Sequence, residues 1–582
     1  MKETIYQVGI AKKDITAFVY NKGMMGYAVP HHIVKDVKTP LSARAFVIFD
    51  KTSNKKVAIV NSEICFYTIA LKDAVAKKLQ TEHSDLGFSE ENVLLSAQHT
   101  HSGAGGYSHY ILYNIAIPGF QPKVFNKVVK NTVEAIVAAN ENLQDASMQF
   151  AEGEFDEKDE VAFCRSLGAY NANPEITEKV SKKNHHLAID RNMKLLRFND
   201  AEGKAIGAIN WFGVHTTSVN NDKNNICYDN KGYAAAFMEK NVRQATDNQD
   251  FIAAFAQDTA GDVSPNPQWY GKNGRYKGKF KDDYKSAKYN GKLQTRQAEK
   301  LLSAAEKKQS ISAGLDYAAM FVDFSNIEVD SNFSMGMKGK RTAPPATGVA
   351  LLKGAQDRPA VEPAILNEIF GAASTGLSKF IQAYEVGVKK HFLSRKDRED
   401  IEQKYRIHGA KAIMLEVGKG KILGTYFINE FIMPAFLDPT IARLKQMDRE
   451  GYSKRTPWMP RILPIQIITL GELAILGIPA EITTIAGQRL RKSVLEILKH
   501  KGVRKIILST YTNGYSGYIT THEEYAKQSY EGGHTIFGKW TLGAYQTKFC
   551  ELARAINKPA GERNIDKTVR PDIFKEDEIW YG

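Results

Sequence analysis

The stretch Leu94-Leu95-Ser96-Ala97-Gln98-His99-Thr100-His101-Ser102-Gly103 runs from an apolar segment into two histidines one residue apart and then into a glycine turn. In extended backbone, residues i and i+2 share a face, so both imidazoles leave the end of a strand on the same side. Such a pair sets a metal ligand beside a second group that can carry a proton. A buried, hydrogen-bonded histidine pair is the structural alternative. A short apolar run that ends in chemistry is also how α/β sheets present their sites, outside the carboxyl ends of strands.

Four further runs end the same way. Ala208-Ile209-Asn210-Trp211-Phe212-Gly213-Val214 stops at His215, and Phe251-Ile252-Ala253-Ala254-Phe255-Ala256 leads to Gly261-Asp262-Val263-Ser264-Pro265-Asn266. Leu473-Ala474-Ile475-Leu476-Gly477-Ile478-Pro479-Ala480 stops at Glu481, with a helix expected from Thr484, and Ile506-Ile507-Leu508-Ser509 opens into a tyrosine-rich segment, 511–521. Strands are predicted over 57–60, 92–96, 205–214, 250–256, 473–478 and 505–509. Helices follow from the spacing of Phe125, Val128, Val129, Val133, Ile136 and Val137, and of Leu490, Val494, Ile497 and Leu498. The alternation predicts an α/β fold, mixed α+β, in a single large catalytic domain over 1–558 with a strand-end active site. Residues 559–582 read as a C-terminal tail and 359–411 as a mainly helical segment, whose charged stretch 394–400 is a solvated helix face or turn. Pro344-Pro345 offers a weak boundary, and no internal sequence repeat is evident.

The chain has 582 residues, 43% hydrophobic and 25% charged, which suits a globular protein with a sizeable core. No apolar run approaches the roughly 20 residues of a membrane-spanning helix. The first residues, Met1-Lys2-Glu3-Thr4-Ile5-Tyr6-Gln7-Val8, lack the apolar core of a secretory signal, so the protein stays inside the cell or has had its signal trimmed. Cys65, Cys164, Cys227 and Cys550 are scattered and form no CxxC pair, which argues against a disulfide framework and a thiolate zinc site. Net charge is +14. The basic stretches 272–281 and 338–341 read as solvated loops or as contacts for anionic lipid headgroups; no nucleic-acid module accompanies them, so nucleic acid is set aside.

Two or three imidazoles with a carboxylate make an N/O ligand set suited to zinc with one open position, where a bound water ionises near pH 7. Each element is weak alone: Glu481 could cap a helix and Gly261-Asp262-Val263-Ser264-Pro265 could be only a turn. The sequence after His101 is Ser102-Gly103, which lacks the Asp-His of a metallo-β-lactamase motif. An amidohydrolase barrel needs more strand-end histidines and a late Asp, and Ser264 does not sit in Gly-x-Ser-x-Gly. The residues by themselves give a mononuclear metal-dependent hydrolase.

Met25-Gly26-Tyr27, Leu41-Ser42-Ala43-Arg44-Ala45-Phe46, Gln98-His99-Thr100-His101-Ser102-Gly103, Ile209-Asn210-Trp211-Phe212-Gly213-Val214-His215, Gly261-Asp262-Val263-Ser264-Pro265-Asn266, Pro479-Ala480-Glu481-Ile482-Thr483-Thr484 and Gly517-Tyr518-Ile519-Thr520-Thr521-His522-Glu523-Glu524-Tyr525 together resemble the neutral/alkaline non-lysosomal ceramidases, colinearly from about residue 10 to 545. The resemblance implies one catalytic zinc ion with His99, His215, Glu481 and Tyr518 as ligands. His101 and Tyr530 match residues that donate to the amide carbonyl oxygen. Arg165, followed by Ser166, matches an Asn-Arg-Ser motif that holds the substrate's polar end, with Cys164 in place of the Asn. Ser264 matches a serine read either as nucleophile or as a residue holding the substrate; the second reading is preferred, because no general base adjoins it in the sequence and a zinc-activated water needs none.

The implied reaction cleaves ceramide to a fatty acid and a sphingoid base. The alternatives are the same chemistry on another N-acyl amine and a non-catalytic lipid-binding descendant. Larger members end in an immunoglobulin-like β-sandwich, for which the residues after 545 are too few. Family members are commonly secreted or periplasmic. A lipid substrate implies peripheral contact with a membrane surface, and the segment 359–411 is expected to form part of the pocket rim.

Overall fold

In a computed structural model, the described residues are 5–246, 248–270, 275–359, 364–417, 421–422 and 439–582. Residues 272–274 of the basic stretch lie outside them. Twelve strands build the framework: β1 (Tyr6–Asp14), β2 (Ser42–Asp50), β3 (Lys55–Ser62), β4 (Val93–Ala97), β5 (Gln144–Glu154), β6 (Asn192–Asn199), β7 (Ala205–Trp211), β8 (Ile252–Ala256), β9 (Asp316–Asp323), β10 (Ile462–Leu470), β11 (Leu473–Gly477) and β12 (Lys505–Ser509). The first eight form one sheet in the order β8-β7-β6-β5-β1-β2-β3-β4, and the last four form a second in the order β9-β10-β11-β12.

The same unit occurs three times. In each, two antiparallel pairings join the first three strands, and the fourth returns parallel to the third: β3 with β4, β7 with β8, β11 with β12. A helix bridges each parallel pair and a second follows it: α1 (Ile69–Glu82) and α2 (Pro122–Glu141), α3 (Asp229–Thr246) and α4 (Asp283–Glu306), α5 (Thr484–Leu498) and α6 (Thr541–Ile556). The repeat leaves no fixed period in the sequence because the excursion between first and second strand varies, covering 15–41, 155–191 and 324–461.

Alternation along the strands sorts side chains into layers. Ile48, Ile59 and Leu94 of the first unit, Met148, Phe198 and Trp211 of the second and Ile468, Ile475 and Ile507 of the third pack into one core between the sheets. Opposite faces are covered by each unit's helices, as where Leu490, Val494 and Leu498 of α5 meet Leu476 and Leu508. Strands and helices predicted from the sequence fall on β3, β4, β7, β8, β11, β12, α2 and α5.

The long third excursion contains the helices Ala364–Gly387 and Arg395–His408, in the region expected to be helical; the exposed charged stretch opens the second of them, where Ser394 caps Asp397 N. Residues after 559 run in irregular backbone against the body, with Trp580 buried and its carbonyl accepting from Phe120 N–H at 2.7 Å. Among the described residues no helix is long and apolar enough to cross a membrane, and the four cysteines are buried and unbridged.

Candidate metal centre and active site

The site forms where the parallel strand pairs of all three units end. β4 delivers His99 and His101, β7 delivers His215, and Glu481 follows β11. Two short parallel pairings hold these ends together: Thr100 bridges Thr216, and Glu481-Ile482 runs beside Tyr518-Ile519 with Glu481 opposite Tyr518. The first of these crosses from the first unit to the second, where the Thr216 hydroxyl and the Gln257 amide also donate to the Gln98 carbonyl. His99 itself has φ of +75°, a left-handed conformation that costs a non-glycine residue energy and marks sites held under constraint.

Both strand-end imidazoles are fixed from behind. His99 Nδ1 lies 2.7 Å from the Cys65 carbonyl oxygen and His215 Nδ1 lies 3.0 Å from that of Val263, which makes each Nδ1 the protonated nitrogen and leaves Nε2 with a free lone pair. His215 Nε2 is 3.0 Å from Glu481 Oε2, His99 Nε2 is 3.7 Å from Glu481 Oε1, and the Tyr518 hydroxyl is 3.4 Å from His215 Nε2. Four ligand atoms around a tetrahedral zinc ion stand about 3.3 Å apart when the bonds are about 2.0 Å. His99, His215 and Glu481 are buried with ligand atoms within 4.8 Å of one another, so the donor set and its spacing fit a zinc-class ion.

The electrostatics agree with that fit. Burial alone would raise the Glu481 carboxyl, but His99, His215 and the hydroxyl of Tyr515 outweigh it and hold it well below the usual range. Burial, opposed by Glu481, pulls His99 down to about 4, so the imidazole is neutral near pH 7. Cys65 Sγ lies 3.6 Å from the outward Nδ1 of His99, and burial and then Glu481 push its thiol well up, leaving it protonated and unsuited to bind as thiolate.

The other expected site residues surround this centre. His101 Nε2 is 3.0 Å from His99 Nε2, and its ring has room only because residue 26 is glycine, where a Cβ would stand 2.5 Å from it. The Tyr530 ring meets that of Tyr518 edge-on at 5.6 Å. Arg165 donates from Nε to Glu531 at 2.8 Å and from Nη2 to the Tyr518 hydroxyl at 2.9 Å, and its strand neighbour Cys164 pairs with Val263 beside Ser264. Burial opposes the Arg165 charge, but Tyr518, Glu531 and Asp357 raise its pKa well above the ordinary value. Ser264 is fully buried and donates to Asp357 Oδ2 at 2.5 Å. The expectation that Ser264 lacks an adjacent base is corrected here: the base arrives from the long third excursion, which sequence proximity to residue 264 could not reveal.

Sequence reasoning missed Tyr511, Tyr515, Glu531 and Asp357. Both tyrosine hydroxyls donate to Glu481, and their signal was the tyrosine-rich segment itself. Glu531 adjoins Tyr530 and receives both Arg165 and the Ser166 hydroxyl. Asp262, in the segment that carries Ser264, accepts from the backbone N–H and the hydroxyl of Thr484 at 2.9 Å, at the start of α5.

Comparison with known proteins agrees with this geometry. The profile described as neutral/alkaline non-lysosomal ceramidase, N-terminal, matches residues 6–434 and 442–547. A neutral ceramidase of Pseudomonas aeruginosa is 32% identical over 553 residues, 95% of this chain and 72% of that protein. Neutral ceramidase A of Dictyostelium discoideum is 33% identical over 578 residues, 95% and 73% of the two chains. The crystal structure of the Pseudomonas aeruginosa neutral ceramidase superposes with a TM-score of 0.76 at 30% identity, over 98% of this chain and 77% of the other. A solved ceramidase complexed with C2 gives 0.77 at 31% identity, with the same coverage. The chain belongs to the neutral/alkaline non-lysosomal ceramidase family, a family of amide hydrolases.

Proposed function

We propose that the chain cleaves the amide bond of ceramide, giving a fatty acid and a sphingoid base, with one zinc ion held by His99, His215, Glu481 and Tyr518. The observation that carries this reading is the paired orientation of His99 and His215, whose Nδ1 atoms are tied to backbone carbonyls so that both Nε2 atoms face Glu481. When bound, zinc supplies a Lewis acid and a water whose pKa falls to about 7. His101 and Tyr530 donate to the carbonyl oxygen as charge develops on it; burial keeps the Tyr530 phenol protonated for that task. Arg165 holds the substrate's polar end. Ser264 donates to Asp357 and accepts from Asn266 N–H at 3.1 Å; it is read as holding the substrate because a zinc-activated water needs no second nucleophile.

A lipid substrate also accounts for the helix Ala364–Gly387, which is amphipathic in the reverse sense. Its inward face carries Ser378, donating to the Ile413 carbonyl, and Glu385, paired with Lys404, while Ile369, Leu377, Phe380 and Tyr384 face solvent, Phe380 being 70% exposed. Such a stripe suits peripheral contact with a membrane surface at the pocket rim. Replacing Phe380 by Glu is expected to weaken sedimentation with anionic phospholipid vesicles while turnover of a short, soluble substrate stays unchanged.

The deciding experiment measures hydrolysis of ceramides and simpler N-acyl amines by wild type and His99→Ala, with zinc quantified in each. Ceramide cleavage lost together with near-stoichiometric zinc is expected. Cleavage of the simpler amides alone would move the substrate, zinc without turnover on any amide would favour a lipid-binding role, and undiminished turnover in His99→Ala would overturn the metal assignment.

A further inference from the structure

The outer face of α4 carries a row of lysines. Lys285, Lys288 and Lys292 recur at three- and four-residue spacing and are all exposed, so they stand in line along one side of the helix. Lys279 and Lys281, also exposed, continue the row beyond the first turn. Among the described residues none of these five makes an ion pair, whereas the next cation along, Arg296, is held by Asp159 at 2.6 Å. Asp282, the acidic neighbour at the head of the row, caps the helix by accepting from Lys285 N–H at 2.7 Å. The row is steadied from below: Lys288 lies 5.6 Å over the ring of Tyr233 and Lys292 6.0 Å over that of Phe237, both rings belonging to α3. Lys38, from the first excursion, joins it 5.4 Å over Tyr284.

This helix runs down the side of the molecule rather than across its site end. Its first residue, Asp283, accepts from Asn220 N–H at 3.2 Å, in the loop that follows His215. Near its last turn the Leu302 carbonyl accepts from Arg197 Nη1 at 3.0 Å, and Arg197 stands late in β6, which is antiparallel to β7 and so leads away from the site. From Lys285 to Lys292 the row descends about 10 Å at about 1.5 Å per residue, more than the Debye length of about 8 Å at physiological salt. A flat surface docked on the site end therefore meets the first turn and leaves Lys292 outside its field. A linear polyanion laid along the helix meets every lysine. A single-stranded nucleic acid also requires rings on which its bases stack, and here Tyr233, Phe237 and Tyr284 lie beneath lysines instead. A polysaccharide has no such requirement.

We propose that this row is a docking strip for a linear acidic polysaccharide, one bearing sulfate or carboxylate groups along its length, with Lys285, Lys288 and Lys292 as the central contacts. Each ammonium is a compact charge with three donors for an anionic oxygen, and the alignment along one helix matches a chain-like partner rather than a compact one. A polymer held there tethers the protein beside the strand-end centre rather than over it. The strip does not depend on the amide-hydrolase reading.

The test titrates the full chain into labelled oligosaccharides of heparin, the sulfated probe, and hyaluronan, the carboxylated one, over a range of salt concentrations. Wild type is compared with Lys285→Gln/Lys288→Gln/Lys292→Gln and with Lys77→Gln/Lys123→Gln/Lys396→Gln, which removes the same charge from exposed lysines elsewhere. Wild type is expected to bind heparin, hyaluronan or both, with an affinity that falls steeply as salt rises. The strip variant is expected to bind about 10- to 100-fold more weakly at about 0.15 M salt and to lose about 2 from the log–log salt slope, at about 0.7 per contact on a single-stranded polyanion. The control is expected to stay within about 3-fold of wild type, its charges being screened from the strip. Equal weakening in both variants, or no binding of either probe by wild type, overturns the strip. Tighter binding through the same lysines to phosphatidylglycerol vesicles or to an oligothymidylate of equal charge overturns the polysaccharide as partner. Acetylation of wild type read by mass spectrometry needs no variant to fold: heparin or hyaluronan is expected to protect Lys285, Lys288 and Lys292 but not Lys77, Lys123 or Lys396, and absence of that protection overturns the proposal.

Discussion

Tyr515 donates its hydroxyl proton to Glu481 Oε1 while its ring lies flat against Phe66, with centroids 4.1 Å apart. The stack fixes the ring and the hydroxyl fixes the carboxylate, so the bond orients a proposed metal ligand without belonging to the proposed ligand set. Outer-shell partners of this kind are worth about 10- to 100-fold in metal affinity. Tyr515→Phe keeps the stack and is expected to weaken zinc binding by about that factor, read by competition with a chelator, at an almost unchanged melting temperature. Tyr511, whose hydroxyl reaches Glu481 Oε2 at 3.2 Å, is expected to contribute less. Unaltered zinc affinity in Tyr515→Phe would show that Glu481 is held by the fold alone.

Arg165 depends on Glu531 in a different way. The pair is buried, with Nε to Oε1 at 2.8 Å, and the second carboxylate oxygen takes the Ser166 hydroxyl at 2.6 Å. Removing one member of a buried pair leaves the other charged and uncompensated, at a cost of about 3–5 kcal/mol. Glu531→Gln is expected to lower stability by an amount of that order in denaturant titrations and to reduce turnover, because Arg165 loses the anchor that aims it at Tyr518. A stability change below about 1 kcal/mol would mean that the Gly261 carbonyl and Asp357 suffice to hold the guanidinium.

How much of this could be read in the sequence depended on sequence distance. The parallel strands and their terminal residues announce themselves because β4, β7, β11 and β12 are apolar runs that stop at polar groups, and the His99, His215 and Glu481 positions lie within a few residues of those stops. The antiparallel strands β1, β2, β5, β6, β9 and β10 were not predicted, and with them the threefold order was hidden. Alternation in β9, which is buried at every second residue, marks a half-buried strand, whereas β10 is buried throughout and reads as an undifferentiated apolar run. Asp357 could not be found, since a single carboxylate in a turn carries no signal until the excursion folds back on Ser264. The same holds for the outward apolar face of Ala364–Gly387, where amphipathicity is visible but its direction is not.

Glu524 ties stability to pH. Burial first, then nearby Asp262, raise its carboxyl from 4.5 to about 8, against hydrogen bonds from Thr483, Thr521 N–H and Asn173. The folded protein therefore binds this proton more tightly than the unfolded chain, and the sign follows: the contribution is fully favourable below about 4.5 and is lost as pH rises through about 8, at up to about 1.4 kcal/mol per pH unit. Urea titrations of wild type and Glu524→Gln between pH 6 and 9 are expected to diverge, wild type losing stability with rising pH relative to the variant. Parallel profiles would mean that Glu524 is ionised throughout that range in the folded protein.

Gly26 offers a way to test the role of His101 apart from that of the proposed metal ligands. Its φ is +120°, which side chains rarely tolerate, and a Cβ there would stand 2.5 Å from the His101 ring. The ring cannot yield freely, since Tyr27 meets it edge-on at 4.6 Å and His99 lies against it at 4.5 Å. Gly26→Ala is therefore expected to displace His101 while leaving His99, His215 and Glu481 in place, so zinc content persists while kcat falls by about 100-fold, the usual scale for a lost donor to a developing oxyanion. Backbone strain adds a stability loss of about 1–3 kcal/mol, read separately by thermal melting. Loss of zinc alongside turnover would place His101 among the groups that hold the metal, and turnover unaffected by the substitution would remove it from the chemistry altogether.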